Sequence, residues 1–495
     1  MPCCGLPTKV NSVHATEAGA AGHEPEGTIM TIDLDPDLSP YLQGNFAPVY
    51  DELDVADLEI TGELPTALTG AYLRNGPNQA FAPLGRYHLF DGDGMIHALY
   101  LDEGRARYRN RFVDGIGLQV ERRAGRALFG GLSEFTFPDQ AVIDEAGIMK
   151  NTANTNVIRH GGRILALMEG SRPTELSPEL ETRGEWDFDG QLVGSMTAHP
   201  KWDPSTGELL FFGYSPFPPF LRFHVADASG ALTRSVDIDL PRAVMMHDFV
   251  ATEHHVVFFD LPAVFDIEAM MSGGTSISWQ PQHGARIGVL ARDGSSDDVT
   301  WFEMDPFFVF HFLNGWDDGT TLVIDGCRAP RIPTAFGGDE LTGSTQPLLH
   351  RWTIDLAAGT VTETQLDDRP GDFPRINQHW SGVANRYGYV AAGPWQNDDV
   401  QFTGVVKHDL ESGTSELHHY GDDVEAGEAV FAPDPDGAAE DDGWLINLVF
   451  DRDRSASELV VVDARDMGSE PVARVHLPRR VPFGFHGNWM PTQGF

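Results

Sequence analysis

WLINLVFD (Trp444–Asp451) and ELVVVDARD (Glu458–Asp466) are two short runs rich in Val, Leu, Ile or Phe, and aspartate ends each of them. Runs of this composition, bounded by turn-forming residues, are typical of β-strands. The same pattern recurs upstream, in RILALME (Arg163–Glu169), ELLFFGYS (Glu208–Ser215), HHVVFFD (His254–Asp260) and TTLVIDG (Thr320–Gly326). The sequence therefore predicts an all-β fold.

Turn-forming residues are frequent across the whole chain, which has 53 Gly and 33 Pro among 495 residues. Helical periodicity occurs only in short pieces such as Pro262–Gly273. Because the strand-like runs continue to the C-terminus without a clear linker, we expect residues 41–495 to form a single closed β-domain. A propeller of several four-stranded blades or a large barrel would fit this pattern. Residues 1–40 are polar and are expected to be a flexible N-terminal segment.

The charge of the chain excludes two classes of partner. Lys plus Arg number 34 and Asp plus Glu number 74, which gives 34 − 74 = −40. So acidic a protein is not expected to bind nucleic acid or to dock on an anionic membrane through basic residues. Three cysteines (Cys3, Cys4 and Cys327) form no disulfide framework, and no apolar stretch is long enough to span a bilayer. These features predict a cytoplasmic protein, with peripheral membrane contact as the remaining option.

Four histidines have unusually apolar or aromatic neighbours, whereas HExxH, CxxC and GxSxG motifs are absent. They are His199 in SMTAHPKWDP, His247 in VMMHDFV, His311 in FFVFHFLNGW and His486 in VPFGFHGNWM. Any one of them alone is best interpreted as a buried structural histidine. Four together, each on a different part of a propeller, would suit a borderline metal such as iron, copper or zinc.

Longer phrases of the sequence resemble the carotenoid cleavage oxygenase family. They include GAYLRNGPN (Gly70–Asn78), HLFDGDGMIHA (His88–Ala98), MMHDF (Met245–Phe249), DFPRIN (Asp372–Asn377) and FGFHGNW (Phe483–Trp489). The resemblance implies a seven-bladed β-propeller with a dome of loops and short helices over an axial non-haem Fe²⁺. It also implies that His199, His247, His311 and His486 hold this ion.

The resemblance further implies three carboxylates that accept hydrogen bonds from these imidazoles and so increase their basicity. By context they are Glu169, Glu428 and Asp372. The family usually has Glu at the position of Asp372. Since Asp is one methylene shorter, we expect its hydrogen bond to be stretched or bridged by water, and an exposed acid with no role is the alternative.

The implied reaction is cleavage of a C=C double bond with O₂ to give two carbonyl products. A carotenoid or apocarotenoid is the expected substrate, because Met168 stands where the stilbene-cleaving branch has lysine, although Lys150 is near. The alternative is the same cleavage of a stilbene or phenylpropanoid. Isomerohydrolysis of a retinyl-type ester and a metal-free scaffold are further options. Residues 212–223 and 260–271 are expected to line the substrate tunnel or to form ordinary core.

Overall fold

Antiparallel strands make up most of the chain. The structure is a computed structural model that describes residues 39–272, 274–334, 343–396 and 399–492. Cys3, Cys4 and nearly all of the predicted flexible segment 1–40 lie outside the described residues. That segment and the single-domain assignment therefore stay predictions.

Seven larger sheets form the seven blades of a β-propeller, which confirms the predicted fold class. We number them along the chain from the sheet that contains the first strand. Blades 2 to 6 are each built from four strands in chain order, and in blades 4 and 6 a two-stranded ribbon intervenes between the second and third strands. Their bounds, from the first to the fourth strand, are Asn156–His160, Arg163–Leu167, Thr174–Leu176 and Thr182–Glu185 (blade 2); Lys201–Trp202, Leu209–Tyr214, Leu221–Ala226 and Leu232–Ile238 (blade 3); Val250–Ala251, His255–Asp260, Ala285–Ala291 and Thr300–Met304 (blade 4); Phe308–Asp317, Thr321–Ala329, Leu348–Asp355 and Thr360–Gln365 (blade 5); and Gly371–Arg375, Tyr387–Ala392, Gly404–Asp409 and Thr414–His419 (blade 6).

Blades 1 and 7 combine strands from both ends of the chain and so close the ring. In spatial order, blade 1 contains Asp54–Val55, Arg105–Phe112, Gly94–Asp102, Gly70–Pro77 and Gly487–Pro491. Blade 7 contains Ile60–Gly62, Ala473–His476, Ala456–Asp463 and Gly443–Asp451, and the last of these pairs with both Val424–Ala426 and Val430–Pro433. The pairing of Tyr72 with Trp489 and of Ile60 with Val475 ties the termini of the described chain together.

The apolar runs that predicted the strands form the layers between blades. Phe212 and Phe223 of blade 3 pack with Phe258 of blade 4, and all three side chains are fully buried. Burial of each such side chain contributes roughly 1.5–3 kcal/mol relative to exposure. The blades are therefore held together mainly by side chains on the two faces of each sheet.

Helices and short ribbons occur in the connections between strands, and several of them, including Ile267–Met271 and both two-stranded ribbons, line the apolar cavity described below. The described residues contain three α-helices, Ile116–Ala124, Gln140–Ala146 and Ile267–Met271, and 3₁₀ turns at Pro40–Leu42, Gly44–Phe46, Leu89–Asp91, Pro281–His283, Ser296–Asp298 and Gln378–Trp380. Two-stranded ribbons pair Ala263–Phe265 with Ile277–Trp279 and Trp395–Gln396 with Asp399–Val400. Among the described residues, no helix is both long and apolar enough to cross a membrane.

Candidate metal centre

The seven residues predicted for the site come from seven different blades. Blades 1, 3, 4 and 5 supply the histidines, and blades 2, 6 and 7 supply the carboxylates. His311 and Asp372 lie within the first strand of their blades, and Glu169 follows the second strand of blade 2. The other four residues lie one to three positions before a strand of their blade: His199, His247, Glu428 and His486. The ring of blades is what brings residues so distant in sequence to one axis.

The four histidines form one buried cluster. One ring nitrogen from each lies within 4.8 Å of the others, and all four residues are buried. The Nε2 atoms of His247 and His311 are 3.2 Å apart. Among the described residues, this is the one group of His, Cys, Asp or Glu whose ligand atoms converge in this way.

Three of the imidazoles contact a carboxylate through Nδ1. His311 Nδ1 lies 2.7 Å from Asp372 Oδ1, His486 Nδ1 lies 3.0 Å from Glu428 Oε1, and Glu169 Oε1 lies against His247 Nδ1. A carboxyl oxygen that accepts a hydrogen bond from Nδ1 keeps the imidazole proton on that atom and leaves the Nε2 lone pair free. These three Nε2 atoms are therefore available as metal ligands.

His199 differs because its Nε2 is buried and has no hydrogen-bond partner among the described residues. Burial lowers the pKa of His199 and of His311 well below the usual value, and the neighbouring imidazoles lower it further. Both rings are consequently neutral near pH 7. An unpartnered buried nitrogen beside converging neutral imidazoles fits a cation held by four histidines.

Asp372 is not the stretched or water-bridged partner that its shorter side chain predicted. It is fully buried and contacts His311 directly, so the alternative of an exposed acid was also wrong. Asp372 lies on the first strand of blade 6, Gly371–Arg375, where the pairing with the second strand shifts register between Asp372 and Arg375. Burial raises the pKa of Asp372 to about 8, and the bond from the Phe373 backbone N–H opposes this shift.

Glu428 has the opposite electrostatic setting. Burial alone would raise its pKa, but Arg375 and His486 lower the pKa to about 2. Arg375 Nη1 lies 3.4 Å from Glu428 Oε1, and the backbone N–H of Gly487 donates to Oε2 at 2.9 Å. Glu428 and Asp372 thus both contact an imidazole Nδ1, but a neighbouring arginine lowers the pKa of Glu428, whereas burial raises the pKa of Asp372.

Tyr214 belongs to the run 212–223 that was expected to line the tunnel, and the sequence did not predict that it contacts one of the three carboxylates. Its hydroxyl donates to Glu169 Oε2 at 2.8 Å, while the other oxygen of Glu169 contacts His247. Burial raises the pKa of Tyr214 well above its usual value, so the hydroxyl stays a donor. The tyrosine therefore connects the wall of the neighbouring cavity to a histidine of the cluster.

Asp248 was missed by sequence reasoning, although it stands beside His247 in the MMHDF phrase. Its Oδ1 accepts a hydrogen bond from Lys201 Nζ at 2.6 Å, and its Oδ2 accepts one from the backbone N–H of Phe312 at 2.9 Å. Lys201 follows His199 by two residues, and Phe312 follows His311. One buried carboxylate thus links the chain segments of three histidines.

An apolar cavity of about 270 Å³ reaches His247, His311 and His486. Met168, Glu169 and Tyr214 contribute to its wall, together with Pro216, Met245, Phe265, Ile267, Met270, Phe310, Phe373 and Trp395. The two runs predicted to line a tunnel each contribute only in part. Phe212 and Phe223, for example, are core residues between blades.

A second, more polar cavity of about 560 Å³ reaches His199, His311 and His486. Asn156, Lys201, Asp248, Arg375, Gln378 and Asn488 are among the residues around it. The two cavities therefore meet at His311 and His486, whereas His247 borders only the first and His199 only the second.

Comparisons with known proteins match most of this chain and its fold. The family model described as retinal pigment epithelial membrane protein matches residues 46–491. A carotenoid cleavage oxygenase of Mycobacterium tuberculosis is 38% identical over 92% of this chain and 98% of its own length. An isoeugenol monooxygenase of Pseudomonas nitroreducens is 32% identical over 91% of this chain and 98% of its own length.

Two solved structures show the same architecture. The lignostilbene dioxygenase of Pseudomonas brassicacearum superposes with a TM-score of 0.85 at 34% identity, covering 92% of this chain and 98% of its own. The cobalt-substituted apocarotenoid oxygenase of Synechocystis superposes with a TM-score of 0.82 at 29% identity, covering 93% of this chain and 100% of its own.

Proposed function

Because this chain belongs to the carotenoid cleavage oxygenase family, we propose that it is a non-haem Fe²⁺ dioxygenase that cleaves a C=C double bond of a carotenoid or apocarotenoid. The observation that carries the proposal is the convergence of His199, His247, His311 and His486 beside an apolar cavity. Family membership makes the protein an oxidoreductase. That the ion is Fe²⁺ and that the substrate is a carotenoid or apocarotenoid are our proposals.

The four histidines would hold the ion without any anionic ligand of their own. Bound there, Fe²⁺ supplies the activation of O₂. Asp372, Glu428 and Glu169 keep the protons on Nδ1 of three imidazoles and fix the orientation of the rings. In the overall reaction the C=C bond breaks, and each carbon takes one oxygen atom of O₂ to become a carbonyl, so no further reductant is needed.

The apolar cavity places the double bond and excludes water. Phe310 and Trp395 stack with ring centroids 5.0 Å apart, and Phe373 continues this aromatic wall next to His311. An apolar wall binds a polyene through burial of its surface and orients it toward the histidines. The chain's own contribution is therefore positioning in a dry site.

A stilbene or phenylpropanoid remains the second candidate substrate for the same reaction. The likeness to the lignostilbene dioxygenase structure and to the isoeugenol monooxygenase supports it. Met168 on the cavity wall favours the polyene, because a thioether offers a phenol no strong hydrogen bond.

The test is incubation of protein reconstituted with Fe²⁺ with an apocarotenoid and with a hydroxystilbene under ¹⁸O₂. We expect aldehyde products from the apocarotenoid that carry label from O₂. Aldehyde formed only from the stilbene would transfer the proposal to the second candidate. Product without label would favour isomerohydrolysis, and protein that retains no iron would favour a metal-free scaffold.

We also propose that the enzyme is cytoplasmic and takes its lipophilic substrate through peripheral contact with a membrane. Leu84 and Met149 line the apolar cavity and are 46% and 51% exposed. Phe217 and Met271, 62% and 58% exposed, directly follow two other residues of the cavity wall. Exposed apolar side chains around a cavity mouth are typical of a surface that contacts lipid. Sedimentation with neutral phosphatidylcholine vesicles tests this, and Phe217→Ser should reduce the bound fraction.

A further inference from the structure

Gln79, Glu121, Lys150 and Thr152 line one part of the apolar cavity, and Asp93 contacts Lys150. We call these five residues the polar corner. Lys150 Nζ lies 2.9 Å from Asp93 Oδ1 and 2.8 Å from Glu121 Oε2. The side chains of all three are at least nine-tenths buried, with exposures of 8%, 2% and 1%. Lys150, Glu121, Gln79 and Thr152 all line the cavity.

The two acids of the polar corner are fully engaged. Asp93 Oδ2 accepts the backbone N–H of Ala80 at 3.1 Å, and Glu121 Oε1 accepts that of Leu128 at 2.8 Å. Burial would lower the pKa of Lys150, but the two carboxylates raise it, so the ammonium stays charged. An ammonium has three N–H donors, and only two acceptors surround this one among the described residues.

Two further polar atoms of the corner have no hydrogen-bond partner in the described part of the chain. They are Gln79 Oε1 and Thr152 Oγ1, and each residue is 6% exposed. Backbone hydrogen bonds connect both residues to the region of Asp93. The N–H of Ala80, next to Gln79, donates to Asp93, and the N–H of Gly94, next to Asp93, donates to the carbonyl oxygen of Thr152 at 2.8 Å. Buried polar atoms are rarely left unsatisfied, so a donor and two acceptors on one wall indicate a ligand group.

We propose that the polar corner binds a neutral hydroxyl group at one end of the substrate. The third N–H of Lys150 donates to the hydroxyl oxygen, and the hydroxyl proton goes to Gln79 Oε1 or Thr152 Oγ1. A carboxylate is excluded because two acids against one ammonium leave the corner negative. The hydroxyl belongs to the end ring of an apocarotenoid or to a phenol. The inference rests on the proposed function, and it adds recognition of the end group.

The test uses matched substrate pairs that differ in one hydroxyl. One pair is an apocarotenal with and without a ring hydroxyl, and the other is a stilbene with and without a phenolic hydroxyl. We expect the wild-type enzyme to prefer the hydroxylated member of at least one pair by about 10-fold or more in kcat/KM. Thr152→Val and Gln79→Met should move that ratio towards one, and Lys150→Met should move it furthest.

Lys150→Met leaves two buried acids unpaired, so this variant could fail to fold. In that case the Thr152→Val and Gln79→Met variants still test the proposal. Thr233→Val, a similar change on the fourth strand of blade 3, should keep the wild-type ratio. Cleavage of both members of each pair at equal rates, or an unchanged ratio in all three corner variants, would overturn the polar corner and leave the proposed function standing. Cleavage of none of the four compounds by iron-loaded protein would overturn both.

Discussion

The two cavities that meet at His311 and His486 differ in chemistry. The smaller one is walled by aromatic and aliphatic side chains such as Phe310, Trp395 and Met270. The larger one is surrounded by charged and amide side chains, including Lys201 and Arg375. The same four histidines thus face an apolar volume through His247 and a polar volume through His199.

This difference assigns separate tasks to the two sides of the cluster. The apolar side suits a lipophilic substrate, because burial of its surface provides the binding free energy. The polar side contains the groups that hold the histidines, such as the Asp248–Lys201 pair and the Arg375–Glu428 contact. Substitution of a histidine of the cluster, or of a residue that holds one, should therefore change metal binding, whereas substitution of the apolar wall away from the histidines should change KM.

His247→Ala should have the largest effect, because it removes one of the four proposed metal ligands from the apolar side of the cluster. We expect loss of retained iron and a fall in activity greater than the roughly 100-fold limit for loss of a ligand's hydrogen-bond partner. Iron per chain and aldehyde formation are the measurements. His224→Ala is the control, since His224 is also buried but pairs with Ser235 inside blade 3. Wild-type iron content in His247→Ala would contradict the assignment.

Asp372→Ala should weaken metal binding by about 10–100-fold, the usual cost of removing such a partner. The 2.7 Å contact with His311 makes a direct loss of orientation the physical reason. Titration of the apoprotein with Co²⁺, followed by its visible absorption, gives the affinity and reports the ligand geometry. Asp372→Glu should retain most of the affinity, and equal losses in both variants would show that the site depends on the length of the side chain.

Strand-like runs predicted the all-β fold, and apolar neighbours selected four histidines that do lie together, because both are local properties. The seven-bladed propeller was predicted from the resemblance to a family, since the runs alone would also fit a barrel. It could not predict the direct contact of Asp372 with His311, because that contact joins two neighbouring blades. Nor could it predict that Asp248 bonds to Lys201 and Phe312, since these contacts join three blades. Lys150, noted from sequence only as near the pocket, pairs with Asp93 and Glu121 across long sequence separations.

Asp248→Asn should weaken Co²⁺ binding by about 10-fold, which is less than the largest loss expected for Asp372→Ala, because the amide can still accept one backbone hydrogen bond. The lost ion pair with Lys201 should loosen the segments of His199, His247 and His311 together and alter the Co²⁺ spectrum. Asp325→Asn is the matched control, because Asp325 is equally buried and paired with Arg351 inside blade 5. Similar melting temperatures with an unchanged Co²⁺ spectrum in both variants would argue against this link.

Met270→Glu should raise KM for the lipophilic substrate by about 10-fold and leave Co²⁺ affinity unchanged. Met270 is half-buried on the wall of the apolar cavity, and a carboxylate there opposes the burial of a polyene. Met270→Leu is the control, since it keeps an apolar side chain of similar size. An unchanged KM in Met270→Glu would show that the substrate does not pass this part of the wall.

Gln378→Leu should have the smallest effect, less than about 2-fold in KM and in Co²⁺ affinity, because exposed substitutions away from special contacts are usually near neutral. Gln378 is exposed beside the polar cavity, and its side chain makes a long hydrogen bond of 3.4 Å from Nε2 to Asn488 Oδ1. The variant makes the polar cavity more apolar, just as Met270→Glu makes the apolar cavity more polar. If Gln378→Leu lowered KM several-fold, the substrate would extend past the histidines into the polar side, and the division between the two cavities would fail.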